Sequence, residues 1–149
     1  MINSTASRIN VLETSRLNLR EFTPEDDEFI FRLLNTAGWL KNIETRKICT
    51  LSDARNYITG KLMPSYEKYG FGFWLIELKE TSMPVGMCGL IKRDGLDDVD
   101  LGFALLPEFE GKGYASEASI SVLAFTKDVL ELSKVAAITI PQNTGSINV

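Results

Sequence analysis

The sequence predicts an α+β domain built on a mixed sheet, in the order β-α-α-β-β-β-α-β. Three observations point there. After one alternating strand, apolar residues recur at helical spacing through the first half of the chain. The period then shortens to two over three consecutive runs separated by short turns. Last, the apolar run from Val99 to Leu105 passes through a two-glycine loop into a long amphipathic stretch and then into another apolar run.

Leu17-Asn18-Leu19-Arg20-Glu21-Phe22 alternates apolar and polar residues and is the first expected strand. Thr23-Pro24-Glu25-Asp26 starts a helix, with a capping threonine, proline at the first position and acids in the first turn. Phe29, Ile30, Leu33 and Leu34 give that helix an apolar face, and Gly38 ends or follows it. Residues 39–50 are left as loop with a turn of helix. Ser52 is expected to cap a second helix, along which Ala54, Tyr57, Ile58, Leu62 and Tyr66 fall at helical spacing. Pro64 is expected to kink it or split it in two.

Strands are expected at Gly72–Leu78, Val85–Ile91 and Val99–Leu105, with a turn at Lys79–Pro84 and another around Asp94-Gly95. Consecutive strands with short turns form an antiparallel meander. A helix from about Tyr114 to Leu132 follows, and Ala115, Ala118, Val122, Phe125, Val129 and Leu132 make its core-facing stripe. Val135–Ile140 is then a strand that a helical crossover places parallel to the one before it.

At 149 residues the chain is expected to form one domain, 1–149. No apolar run approaches the roughly 20 residues needed to span a bilayer, and Met1–Asn10 lacks the apolar core of a signal peptide. The expectation is a cytoplasmic protein without a membrane partner. Cys49 and Cys88 lie far apart and are taken as reduced packing residues. There is no histidine. That excludes Ser-His-Asp hydrolysis and histidine-bound zinc, and no metal is expected. A net charge of −4 leaves no excess of cations to neutralise a nucleic-acid backbone.

The chemistry concentrates at Leu105-Leu106-Pro107-Glu108-Phe109-Glu110-Gly111-Lys112-Gly113-Tyr114-Ala115-Ser116-Glu117-Ala118. Two glycines allow a sharp turn and close approach of a ligand. The helix behind them offers unpaired N–H groups and the positive end of its dipole. The stretch is therefore a phosphate cradle in prospect. The nucleotide-hydrolase loop is excluded because Tyr114 follows Gly113 where that loop has Lys and Ser/Thr further on, and the dinucleotide fingerprint because Ser116 stands where its third glycine belongs.

With strand, loop and helix placed, the chain resembles the GCN5-related N-acetyltransferases, and within them the ribosomal-protein N-terminal acetyltransferase branch. The likeness covers nearly the whole chain. Leu12-Glu13-Thr14-Ser15-Arg16-Leu17-Asn18-Leu19-Arg20 looks like that branch's first strand. Gly89-Leu90-Ile91, Asp100-Leu101-Gly102-Phe103 and Gly111–Ala118 look like its central motifs, and Pro141–Ile147 like the loop after its fifth strand. The resemblance implies acetyl-CoA as cosubstrate, with its pyrophosphate on backbone N–H groups of Gly111, Lys112, Gly113, Tyr114, Ala115 and Ser116. It implies that the pantetheine arm pairs with backbone of Phe103, Ala104 and Leu105 like an added strand, and that Asn143 bonds the arm from the far side. The Lys112 side chain is either a phosphate neighbour or a solvated loop lysine. Glu110, where many relatives carry Gln or Arg, is expected to point into solvent.

The implied reaction is direct attack of a neutral amine on the thioester. An α-amine with a pKa near 8 is about one-tenth neutral at pH 7, whereas a lysine is roughly two hundred-fold worse, so a protein N-terminus suits a chain without histidine. Glu77 and Asp100 are candidate bases, and the alternative for each is an exposed strand carboxylate. Ser146 matches a serine that protonates the leaving thiolate in this branch, the alternative being a loop or helix cap. Against the family pattern the chain is expected to lack the final helix and strands, and with them the tyrosine general acid of many relatives. A monomer or homodimer is expected, another chain covering the missing sheet edge. Other readings left open are a non-catalytic acyl-CoA-binding module and acetylation of a small polyamine- or aminoglycoside-like amine.

Overall fold

A computed structural model of the protein describes residues 10–36, 49–92, 99–128 and 135–137. It begins with a hairpin rather than the single strand expected: β1 (Asn10–Glu13) and β2 (Leu17–Arg20) pair antiparallel. Asn10-Val11-Leu12-Glu13 sets its two apolar residues side by side instead of alternating, and a bulge interrupts its pairing between Asn10 and Leu12, so β1 shows no period in sequence. Thr14 closes the turn. Its N–H donates to the Leu17 carbonyl at 2.8 Å, and its Oγ1 accepts from the Leu17 N–H at 3.0 Å.

A 3-10 turn over Pro24–Asp26 opens α1 (Asp27–Leu34), with Thr23 ahead of it as expected. The next helix, α2 (Leu51–Tyr57), is capped by Thr50 and not by Ser52. Thr50 Oγ1 accepts from the Asp53 N–H at 3.0 Å, and the Asp53 carboxylate accepts from the Thr50 N–H at 3.2 Å. Reciprocal capping needs an acceptor side chain three residues on, which Asp53 supplies for Thr50 and Arg55 cannot supply for Ser52. Pro64 acts one turn earlier than a simple kink. It has no N–H for the carbonyl four residues back, so Ile58–Leu62 widens into a π turn in which the Met63 N–H reaches Ile58 O. The chain then runs on as α3 (Met63–Tyr69), with Pro64 in its first turn, where no donor is required.

The three later strands stand as expected: β3 (Phe73–Leu78), β4 (Pro84–Lys92) and β5 (Val99–Leu105) form the antiparallel meander. The long helix is α4 (Tyr114–Asp128), and β6 (Val135–Ala137) pairs parallel with β5. The sheet order is β1-β2-β3-β4-β5-β6. Gly38, the turn at Asp94-Gly95, Val129, Leu132 and residues 138–140 of the last expected strand lie outside the described residues. No helix among the described residues is long and apolar enough to cross a membrane.

Strand alternation divides the apolar residues between the two faces of the sheet. Phe22, Ile30, Leu33, Leu34, Ala54, Ile58, Leu62, Leu75 and Met87 pack under α1–α3. Leu17, Leu19, Trp74, Ile76, Cys88, Leu90, Ala118 and Val122 pack under α4, where Phe125 meets Trp74 edge to face at 5.3 Å. Cys88 is a packing residue, as expected; Cys49 is exposed and is not. Val85 is the extra residue of a bulge, since Ile76 faces Gly86 while Glu77 faces Pro84.

The face under α1–α3 also holds a buried cation. Arg20, 3% exposed, points there because its neighbour Leu19 fills the other core. Its Nη1 and Nη2 donate to the two oxygens of Asp26 at 3.0 and 2.8 Å, and its Nε donates to Glu77 Oε2 at 3.1 Å. Burial disfavours the guanidinium charge, but the two carboxylates more than restore it, so the pKa is raised. Asp26 accepts in addition from the Thr23 N–H at 2.9 Å, which joins the start of α1 to β2 and β3. Replacing Arg20 by Met leaves two buried carboxylates without their cation. We expect a loss of about 3–5 kcal/mol, read as a lowered midpoint in urea unfolding.

Candidate functional site

The link from β5 to α4 is built on two left-handed residues. After a 3-10 turn at Pro107–Phe109, Gly111 has φ +78° and Gly113 has φ +84°. Any other residue would be disfavoured there by about 1–2 kcal/mol. The Glu117 N–H donates to Gly113 O at 3.0 Å, the first bond of α4. The N–H groups just before it therefore have no acceptor within the helix. Among the described residues, no N–H from Gly111 to Ser116 donates to a protein acceptor. Glu110 and Lys112 are exposed, Tyr114 and Ser116 half-buried, and Ala115 is buried. This leaves, among the described residues, a turn of donors without protein acceptors at the positive end of a helix dipole, a setting that favours an anion.

Beside it lies a strand edge. β5 sits inside the sheet order, yet Leu101 to Leu105 are only half-buried. β4 covers one edge up to Leu105, which faces Gly86, while on the other edge β6 pairs with Val99, Asp100 and Leu101 among the described residues. Phe103 and Leu105 pack into the α4 core and Ala104 into the other. Core packing engages their side chains and not their main chain, so the two readings of these residues are compatible.

A cluster not assigned any role from the sequence holds the turn. The Glu117 carboxylate takes Arg16 Nε on Oε1 at 2.7 Å, the Arg16 N–H on Oε2 at 3.0 Å, and the Thr14 hydroxyl on the same Oε2. Arg16 Nη1 donates to Lys112 O at 3.1 Å, and the guanidinium lies 4.6 Å from the centre of the Tyr114 ring. Partial burial opposes ionisation of Glu117, but the hydrogen bonds from Thr14 and Arg16 outweigh it and hold its carboxyl below the usual carboxylate range. Thr14 and Arg16 stand in one family-like block and Glu117 in another, 101 positions from Arg16, and no local signal in the sequence joins them.

The candidate carboxylates are both buried, against the alternative of exposed strand residues: Glu77 is 8% exposed and Asp100 is 1% exposed. Strand alternation puts both on the face under α1–α3, but at opposite ends, Glu77 facing Pro84 and Asp100 facing Ile91. Glu77 is engaged by Arg20. Asn143 and Ser146 lie outside the described residues. Cys88 contacts Ser119 Oγ at 3.8 Å, and burial pushes its thiol up to about 12, which makes it a poor acyl carrier at neutral pH.

Comparison with known proteins bears on this geometry. Residues 16–149 match the model of the acetyltransferase (GNAT) domain family. The chain is 25% identical over 138 residues to the uncharacterized N-acetyltransferase YnaD of Bacillus subtilis, covering 93% of this chain and 78% of YnaD. RimL, a ribosomal L7/L12 α-N-protein acetyltransferase, superposes with a TM-score of 0.81 at 12% identity, covering 99% of this chain and 81% of RimL. The microcin C7 self-immunity acetyltransferase MccE, solved with acetyl-CoA and AMP, superposes with a TM-score of 0.76 at 17% identity, covering 91% of this chain and 76% of MccE. At these identities the two structures establish the fold.

Glu117 also sets a pH dependence. Its folded pKa lies below the ordinary 4.5, so its contribution is complete above that value and is lost as pH falls through the lowered one. Glu117→Gln, which does not titrate, should be less stable than the natural chain by about 1 kcal/mol at pH 7. Thermal midpoints should show that gap closing in acid below pH 4.5.

Proposed function

The chain belongs to the acetyltransferase (GNAT) domain family, and on that premise we propose that it carries the acetyl group of acetyl-CoA directly to a primary amine, foremost the α-amine of a protein N-terminus. The observation that supports this most is the turn from Gly111 to Ser116, whose N–H groups have no acceptor among the described residues, at the N-terminus of α4 and next in the chain to β5. In this reading those N–H groups hold the pyrophosphate, with the Lys112 ammonium beside it. The backbone of Phe103, Ala104 and Leu105 holds the pantetheine arm, and Asn143 bonds the arm from its other side.

With the pyrophosphate end fixed at Gly111–Ser116, an arm paired along β5 runs back from Leu105 towards Phe103. Asp100 stands three residues beyond Phe103, about 10 Å further along the strand. It is therefore the carboxylate we assign to receive the amine proton through water; Glu77 remains with Arg20 at the other end of the face. Ser146 returns a proton to the leaving thiolate. Holding amine and thioester together supplies the largest share of the acceleration, up to about 7–11 kcal/mol in well-oriented cases. The buried Cys88 thiol favours direct attack over a covalent acyl-enzyme. An α-amine asks least of the base, because a tenth or so of it is already neutral at pH 7. The likeness to RimL agrees with this acceptor at the level of fold.

Proline cannot adopt the φ of +84° found at Gly113. Gly113→Pro should weaken acetyl-CoA binding at least about tenfold, the equivalent of one charged hydrogen bond. Calorimetric titration reads this directly, and an unchanged affinity overturns the cradle. Asp100→Asn should keep acetyl-CoA affinity while CoASH release, with a peptide bearing a ribosomal-protein N-terminus, falls about 100-fold. Faster release with spermidine than with that peptide would move the acceptor to small amines.

A further inference from the structure

The cradle carries an electrostatic contradiction that Arg16 resolves. Glu117 lies in the first turn of α4, next to the donors from Gly111 to Ser116. A bare carboxylate there repels any phosphate drawn to the helix end. We propose that Arg16, on the turn between β1 and β2, is a positioning residue for the cofactor: it neutralises Glu117 and fixes the Lys112–Gly113 peptide so that the cradle presents net positive potential. The proposal rests on the cradle reading above.

Four contacts converge on this one residue. Its Nε and its backbone N–H take both oxygens of Glu117, at 2.7 and 3.0 Å. Its Nη1 binds the Lys112 carbonyl at 3.1 Å, and its plane lies over Tyr114 at 4.6 Å. A trans peptide is planar, so drawing the Lys112 carbonyl towards Arg16 aims the Gly113 N–H the opposite way. Nη2 lies 3.3 Å from where a Cβ on Gly113 would stand, so the cation borders the turn itself. A plain stabilising ion pair does not need this placement, and at 46% side-chain exposure it would contribute little to folding. Lysine could supply the charge but not the planar fork that meets Glu117 and Lys112 O together.

The test is calorimetric titration of the full chain with coenzyme A. Arg16→Ala should bind about tenfold more weakly, since it leaves Glu117 charged beside the ligand. Arg16→Lys should fall between the two. The double variant Arg16→Ala with Glu117→Gln should recover to within about threefold of the natural chain, because the glutamine oxygen still accepts from Thr14 and the residue-16 N–H but no longer repels phosphate. A merely structural role predicts the reverse, with the double variant no better than Arg16→Ala. If Arg16→Ala fails to fold, the double variant and Arg16→Lys carry the measurement, and a double variant tenfold weaker than the natural chain overturns the proposal. An Arg16→Ala affinity within twofold of natural also overturns it, while Gly113→Pro still weakens binding. Coenzyme A binding unaffected by both Arg16→Ala and Gly113→Pro would instead sink the cradle reading beneath it.

Discussion

One buried guanidinium obliges much of this fold to be where it is. Arg20 reaches beneath the sheet, and a charge removed from water must meet fixed partners. Those partners come from different elements: Glu77 from β3 and Asp26 from the turn that opens α1. Since Asp26 also holds the Thr23 N–H, the position of the first helix is tied to the register of β2 against β3. A one-residue slip of β2 would turn Arg20 into the α4 core and Leu19 into the carboxylates. Neither face tolerates that exchange, so the ion triad specifies register at least as much as it stabilises.

The second arginine of the hairpin works under opposite conditions. Arg16 stands at the surface and contributes through geometry more than through burial. It spans from the β1–β2 turn to the start of α4, so the edge of the sheet and the glycine turn are connected by one side chain. The contrast follows from strand alternation and a four-residue spacing. Arg20 lies inside the strand facing a core, whereas Arg16 lies in the turn, where a long side chain is free to run along the surface to Lys112 and Tyr114.

Periodicity made most of the sheet legible in the sequence. The meander and the parallel return of β6 follow from alternation, turn residues and the handedness of crossovers, and β3, β4 and β5 fall within a residue or so of their expected bounds. The misses have local causes. β1 has adjacent apolar residues and no alternation, and the cap of α2 depended on which hydroxyl has an acid three residues later. The π turn reflects how the backbone redistributes a lost hydrogen bond, which a proline announces but does not specify. At the site, the glycine turn was visible because it is contiguous. The Arg16–Glu117 pair was not, because nothing local in either segment names a partner that far along the chain.

The burial of Glu77 and Asp100 has a common origin with the division of the core. Each strand alternates, so a carboxylate between two residues of the α4 core must lie on the other face: Asp100 stands between Val99 and Leu101, and Glu77 follows Ile76. Among the described residues the α4 face thereby buries no charged side chain around Trp74, Ile76 and Leu90, its buried polar groups being the hydroxyls of Ser119 and Thr126. The face under α1–α3 receives the charges. The π turn and the Arg20 triad lie on that side, and there α1 also meets the turn before Gly111, Arg32 pairing with Glu108.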